Sequence, residues 1–469
     1  MRQGMESRSA HPASTPASPL ASVSHSWRAL RHRNFKLFFF GQSISVIGTW
    51  MTRLATAWLV YRLTHSALLL GVVSFSGQIV SFLTGPLAGV WVERMERRRL
   101  LVITQAAGAV QSLALAALTL GHIITLGEII GLMAFQGLIN AFDMPGRQSF
   151  LIQMVEDRGD LANAIAINSS MANGARLIGP AIGGLIIAGF GEGWCFLIDG
   201  ISYFAVIASL LLMRVPALEG RDGAGSSLLE ELREGWDYVR GFAPIRTILL
   251  LFALTCLMGW PYSVLLPVFA GTVLHGGAHT LGWLTAASGV GAFSSALALA
   301  MRKSVVGLTR TLQAAAVLLG AGLILFGLSH VLWLSLALMV VVGFGLIQAA
   351  AVSNTIIQSL VPDDMRARVM GYYTMAFFGA APFGSLFAGG LAQHIGAPYT
   401  VMLTGACCIV GATWFSFQLP KIRPEMRMRY REKEAAAQQA STGITRPQTI
   451  PRGAPPDLDR RVGSRASGS

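Results

Sequence analysis

Apolar runs of about twenty residues recur along most of this chain, separated by short polar stretches. Each is long enough to cross a hydrocarbon layer about 30 Å thick as a helix. Twelve can be read. The first six begin near Leu37, Leu68, Leu101, Gly127, Leu161 and Trp194, and the second six near Thr247, Gly282, Thr311, Leu332, Val369 and Tyr399. In lipid every backbone N–H and C=O needs a partner within the protein, so only helices and closed barrels span. Barrel strands alternate apolar and polar residues, and runs such as Leu113 to Leu120 do not. The chain is 53% apolar and only 13% charged, whereas soluble domains are about a quarter charged. The excess apolar surface must face lipid. The expected fold is an all-α membrane protein, with twelve transmembrane helices in two six-helix bundles.

The net charge of +13 is explained by topology. If the N-terminus is cytoplasmic, all but Arg53, Arg62 and Arg176 of the 36 Lys and Arg residues fall on the cytoplasmic side, as the positive-inside rule requires. Arg94, Arg97, Arg98 and Arg99 follow the second run, and Arg147 and Arg158 follow the fourth. The odd-numbered loops carry histidines but almost no Lys or Arg. An even helix count, with both termini inside the plasma membrane, makes this pattern regular. No nucleic-acid partner is expected. Arg423, Arg427 and Arg429 suit anionic lipid headgroups.

Five segments follow: a tail at 1–27, a bundle at 28–213, a linker at 214–246, a second bundle at 247–420 and a basic tail at 421–469. The N-terminal tail is rich in Ser, Ala and Pro and has no apolar core of a signal peptide; both tails read as disordered. In the linker, Leu228, Leu232, Trp236 and Val239 share one helical face, which predicts an amphipathic surface helix. A shift of 206 residues places Val155-Glu156-Asp157 on Val361-Pro362-Asp363, and Gly183-Gly184-Leu185 on Gly389-Gly390-Leu391. Such a repeat implies two halves related by a pseudo-two-fold axis, with a cavity between them.

Three stretches carry a resemblance. Gly89-Val90-Trp91-Val92-Glu93-Arg94-Met95-Glu96-Arg97-Arg98-Arg99-Leu100 resembles the loop motif G-x-L-x-D-R-x-G-R-R-x-x of the major facilitator superfamily, with Glu93 for Asp and Glu96 for Gly. Ala175-Arg176-Leu177-Ile178-Gly179-Pro180-Ala181-Ile182-Gly183-Gly184 resembles the antiporter motif G-x-x-x-G-P-x-x-G-G of its exporters, with Ala175 for the first Gly. Ala141-Phe142-Asp143-Met144-Pro145-Gly146-Arg147-Gln148 and the Asn34-Phe35-Lys36-Leu37-Phe38 stretch are similar to segments of the subfamily that includes the enterobactin exporter. The resemblance spans roughly 28–420. It implies secondary transport, and export more than uptake. It also implies that Asp143 joins Gly89, Glu93, Arg94 and Arg97 in a cytoplasmic gate that locks the outward-open state. The family's helix-four Arg is replaced by Met133, three residues before Gln136-Gly137.

Charges at membrane depth are costly and mark functional candidates. Gln42, Ser45, Thr49, Arg53 and Thr56 recur at helical spacing and are expected on the cavity. Gln136, Asn140 and Asp143 form a second stripe. Arg53 is expected to pair with Asp199 or Glu128 as a switching or proton-exchanging pair, the alternative being a static bridge or a hydrated Glu128. Arg176 is placed to bind an anion or to hold the bundle together. Cys195, Cys256, Cys407 and Cys408 lack metal-ligand spacing and read as core residues, so neither metal nor cofactor is expected.

No Gly-Lys pair exists for a phosphate loop, and H-E-x-x-H and G-x-S-x-G are absent. An enzyme is therefore not expected. The expected function is proton-coupled efflux of a small amphipathic compound, such as a siderophore, drug or metabolite, by a monomer. The alternatives are lysophospholipid or nutrient transport on the same fold, or a non-transporting sensor.

Overall fold

The computed structural model describes residues 28–155, 157–214, 228–302 and 307–442. The two expected terminal tails, 1–27 and most of 421–469, and the first part of the linker lie outside these residues. So do the side chains of Leu228 and Leu232. Contacts divide the chain into two units, Met1–Arg423 and Pro424–Ser469. The second is described only as the continuation of the last helix.

The described chain is helical throughout, with no strand. Six long helices come first: α1 Arg33–Thr64, α2 Ala67–Arg94, α3 Arg97–Leu120, α4 Leu126–Leu151, α5 Leu161–Phe190 and α6 Glu192–Leu212. A linker helix covers Leu228–Gly241. Then come α7 Ala243–Val273, α8 Ala278–Ala300, α9 Leu308–Leu328, α10 Leu332–Leu360, α11 Asp363–Ile395 and α12 Ala397–Thr442. Ten of these are long and apolar enough to cross a membrane. The other two long helices are α1 and α4, the same two that carry the polar stripes read from the sequence. Those stripes lower the mean hydropathy of helices that otherwise have spanning length.

Glycines decide how the helices meet. A side chain at Gly137 would strike the Gly77 carbonyl at 2.0 Å, and one at Gly320 the Gly405 carbonyl at 2.5 Å. Backbones therefore touch where α2 crosses α4 and where α9 crosses α12, which is how membrane helices pack without a hydrophobic drive between them. Cys195, Cys256 and Cys408 are buried thiols, Cys407 is half-buried, and all four are free.

Two antiparallel helix pairs join the first six helices to the last six. Along α2 and α11, Gly71 lies against Gly389 and Ser385, and Phe82 lies against Gly379. Further on, Gly85, Gly89 and Gly371 meet nothing within 4 Å. Along α5 and α8, Gly184 lies against Ala278 and Gly282, and Leu177 lies against Gly289, while Gly174 meets nothing. Both pairs are tight at one end and separate toward the other. The closed end is fastened further by the Tyr61 and Thr272 hydroxyls, 2.6 Å apart, and by Ser66 donating to Gln393.

The same geometry corrects the register of the Gly-Gly match. Gly184 and Gly389, not Gly183 and Gly389, occupy corresponding contacts, each against a small residue one turn into its partner helix. Gly191 and Gly396, 205 positions apart, both end their helices at positive φ, 89° and 86°, a conformation glycine adopts without steric cost.

The linker helix packs on α11. Glu234 pairs with Arg368 at 2.7 Å, Trp236 rests against Tyr372, and Gly235 fits beside both.

Candidate functional site

Helix α1 presents two polar faces. On one, Gln42, Ser45, Thr52 and Thr56 are buried against the rest of the first half. Their spacing of three and four residues turns them toward α6. Thr49 and Thr56 spend their hydroxyls on the carbonyls of Ser45 and Thr52. Expecting all of Gln42, Ser45, Thr49, Arg53 and Thr56 on the cavity is therefore wrong for the buried members. Thr52, not Arg53, continues their heptad spacing. Arg53 lies one position around the helix, exposed and on another face.

Asp199 in α6 is 1% exposed. Its Oδ2 accepts from Thr52 at 2.9 Å and from Ser112 of α3 at 2.7 Å. Its Oδ1 is buried without a hydrogen-bond partner and lies 2.6 Å from where a side chain at Gly48 would stand. Arg53 forms no ion pair with Asp199 or with any other carboxylate among the described residues. Glu128 is exposed and closes a capping box with Thr125 at the start of α4. The expected pairing of Arg53 with Asp199 or Glu128 is thus replaced by hydroxyls at one carboxylate and a helix cap at the other. The pair that does form at the closed end is Arg62 with buried Glu192, at 3.1 Å. Sequence reading noticed Arg62 only as an exception to the charge rule.

Arg53 and Arg176 instead meet at one ring. The Arg53 guanidinium carbon stands 5.0 Å from the Trp50 ring centre, and that of Arg176 stands 5.6 Å from it. Arg176 also lies 5.6 Å from the ring of Trp260, in the second half. Gly179 makes this possible, since a side chain there would strike Cβ of Trp50 at 2.6 Å. The antiporter motif thus has two contacts. Gly179 and Gly183 receive α1, while Pro180 and Gly184 receive Gly282 of α8. Trp260 sits at a break in α7: a π-helical turn over Thr255–Gly259 precedes it, Pro261 follows it, and Tyr262 restarts the helix. Such interruptions recur at functional sites, and in membranes they are tolerated where protein or water satisfies the backbone. Phe377 of α11 supports Trp260 edge-on at 5.3 Å. Gly259-Trp260-Pro261, in the middle of an apolar run, was a legible break signal that sequence reading passed over.

At the open end, buried Asp143 accepts from Thr104 at 3.0 Å and Gln105 at 2.7 Å, and pairs with Arg147 one turn along α4. Arg97 makes no ion pair among the described residues, and the side chains of Glu93 and Arg94 lie outside them. Arg97 is therefore not joined to Asp143 in this state. Arg147, four residues away on the same helix, takes the carboxylate. Arg98, the loop's next arginine, caps α6 through the Leu210 and Leu211 carbonyls. Gln136 donates to Asn140 at 3.1 Å within the second stripe. A groove of about 570 Å³ between α9 and α12, lined by Arg310, Gln313, Leu419 and Arg423, contains none of these residues.

The profile of the transmembrane secretion effector family matches residues 24–443. The staphyloferrin A transporter of Staphylococcus aureus is 26% identical over 83% of this chain and 98% of its own length. The multidrug efflux pump Tap of Mycolicibacterium fortuitum is 27% identical over 78% of this chain and 91% of its own. In fold, the chain is similar to the nucleoside transporter NupG, with a TM-score of 0.63, 14% identity and coverage of 83% and 99%. It is also similar to a POT family transporter solved with 5-aminolevulinic acid, with a TM-score of 0.67, 14% identity and coverage of 83% and 96%. The antiporter-type glycines, the interrupted α7 and a family match over most of the chain agree: this is a multi-pass membrane transporter belonging to the transmembrane secretion effector family of the major facilitator superfamily.

Proposed function

We propose that the protein is a secondary active exporter that moves a small amphipathic compound out of the cell in exchange for protons. In this reading all twelve long helices cross the plasma membrane, in two bundles related by a pseudo-two-fold axis, with both termini cytoplasmic and the monomer as the working unit. The observation that carries it is the pair of wedges. Helix two of the first half meets helix five of the second, helix five of the first meets helix two of the second, and both pairs part toward the same end. The reciprocal pairing supports the two-fold relation. Opening at one end supports alternating access by rocking halves, here with the basic, cytoplasmic end open. Relatives named for siderophore transport and multidrug efflux support export.

Asp199 is the candidate proton carrier, as a buried carboxylate with one oxygen unpartnered beside the helix that bears Arg53. Asp143 would exchange Arg147 for the loop arginines when the cytoplasmic end closes. The test is substrate-driven proton movement in liposomes holding the purified protein. Catecholate siderophores, cationic drugs and lysolipids serve as the panel, with Asp199→Asn and Arg53→Ala as controls. One compound class is expected to drive proton flux that Asp199→Asn removes. Movement of a compound without protons would refute the coupling, and failure of every compound to move would refute export of these compound classes.

A further inference from the structure

Five carboxylates of the first half are already committed. Asp143 is held by Arg147, Thr104 and Gln105, and Asp160 by Arg28 and His32. Glu192 is held by Arg62, Asp199 by Thr52 and Ser112, and Glu128 by its capping box. The linker's Glu234 is taken by Arg368. Arg53 and Arg176, brought together on the Trp50 ring, have no ion pair among the described residues, and Asp199, the acid closest in the fold to Arg53, sits behind Thr52. Two like charges held on one ring repel each other, and unpaired cations at membrane depth are costly. The position of Arg176 is set by Trp50 and Trp260 rather than by a helix-end carbonyl.

The geometry is that of a receptor. A guanidinium against an aromatic face keeps its N–H edge free for a two-pronged bond to a carboxylate, sulfonate or phosphate. The rings provide apolar walls, Trp50 from the first half and Trp260 from the second, with Phe377 behind the latter. Trp260 stands at the break in α7, so the wall belongs to an irregular stretch of helix that reaches the first half at Arg176.

We infer that Arg53 and Arg176 form an anion-binding site between Trp50 and Trp260, and that the compound carried is a small organic anion with an aromatic or apolar body. This rests on the space between the halves being the transport cavity. A cationic compound placed there would meet two guanidiniums without a direct ion pair, so the site disfavours it as well as selecting the anion.

The test is binding, which needs no transport. Coumarin-3-carboxylate and its neutral carboxamide are compared by equilibrium dialysis against the full chain in nanodiscs of zwitterionic lipid. The variants are Arg53→Gln, Arg176→Gln, the double variant, and Arg53→Lys with Arg176→Lys, each confirmed monodisperse. The carboxylate is expected to bind about tenfold more tightly than the amide. That preference should vanish in the double glutamine variant and be partly kept by the lysines, which retain charge but lose the fork. Equal retention of the two probes by the natural protein, including retention of neither, overturns the inference. So does a preference that survives in the double glutamine variant. A preference that holds while no compound moves in liposomes would sink the transport reading and leave the site standing. Transport with no such preference would do the reverse.

Discussion

Two buried carboxylates in α6 illustrate how similar residues come to different uses. Glu192, 3% exposed at the helix start, is neutralised by Arg62. Asp199, two turns further on, receives only hydroxyls. Removing Arg62 leaves a carboxylate buried alone. Breaking a fully buried pair costs about 3–5 kcal/mol. Because the Arg62 side chain is 55% exposed, solvent screens the pair and the expected loss is about 1–3 kcal/mol. Arg62→Ala should therefore lower the thermal midpoint in detergent more than Glu192→Gln, which removes the charge and keeps the shape. Adding Glu192→Gln to Arg62→Ala should recover part of the loss. If Arg62→Ala is neutral, the pair is ornamental. The sequence identified Arg53, Arg176 and Asp199 as costly charges, because charge at membrane depth is visible in one dimension. It could not identify their partners. Thr52 and Arg53 are adjacent in sequence, yet they turn to different faces of α1, and only tertiary packing decides which face meets which helix.

Among the elements, helix existence was legible because a span needs about twenty apolar residues whatever its partners. The readings at Leu161 and Leu332 coincide with the observed helix starts. Polarity is concentrated where it has a purpose, in α1 and α4, and both helices were still read near Leu37 and Gly127. The break in α7 was missed because hydropathy is unchanged across it, although Gly259 and Pro261 mark it in the sequence. The α5–α8 contact is a sharper test of the antiporter motif than the motif itself. Side chains at Gly184 or Gly282 would enter the facing backbone at 2.9 Å and 2.6 Å, and backbone cannot yield as a flexible side chain does. Gly184→Val should hold the closed end apart and reduce transport at least about tenfold, as expected when a required closed state is depopulated. Gly174→Val, at a position with nothing within 4 Å, should be tolerated. The comparison is a rate of compound movement in liposomes at matched protein content. Equal rates for the two variants would mean that the close approach is incidental.

At the scale of the whole molecule, the repeat was legible as two short matches, of which the second is one residue out of register, because sequence identity aligned Gly-Gly pairs where the structure aligns contacts. The positive-φ glycines at 191 and 396 fix the register more firmly, yet φ is invisible in a chain with 52 glycines. The conformational state was not legible at all, since one sequence encodes both states. If the halves rock about the contacts described here, the end fastened by Gly71, Gly389, Gly184 and Gly282 must open in every cycle. Leu68 and Gly390 face each other across it, the Leu68 Cδ1 lying 3.8 Å from where a side chain at 390 would begin, so a pair of cysteines there meets no backbone. In a Cys407→Ser background the remaining native thiols are buried. Joining Leu68→Cys to Gly390→Cys with the shortest bifunctional methanethiosulfonate should stop transport, and reductant should restore it. Cysteines at Gly85 and Gly371, on the parted stretch of the same helix pair, should resist the reagent in this state and link only when the opposite state is populated. Transport that continues through a completed link between positions 68 and 390 would mean that the two halves do not separate there, and alternating access by rocking would have to be abandoned for this protein.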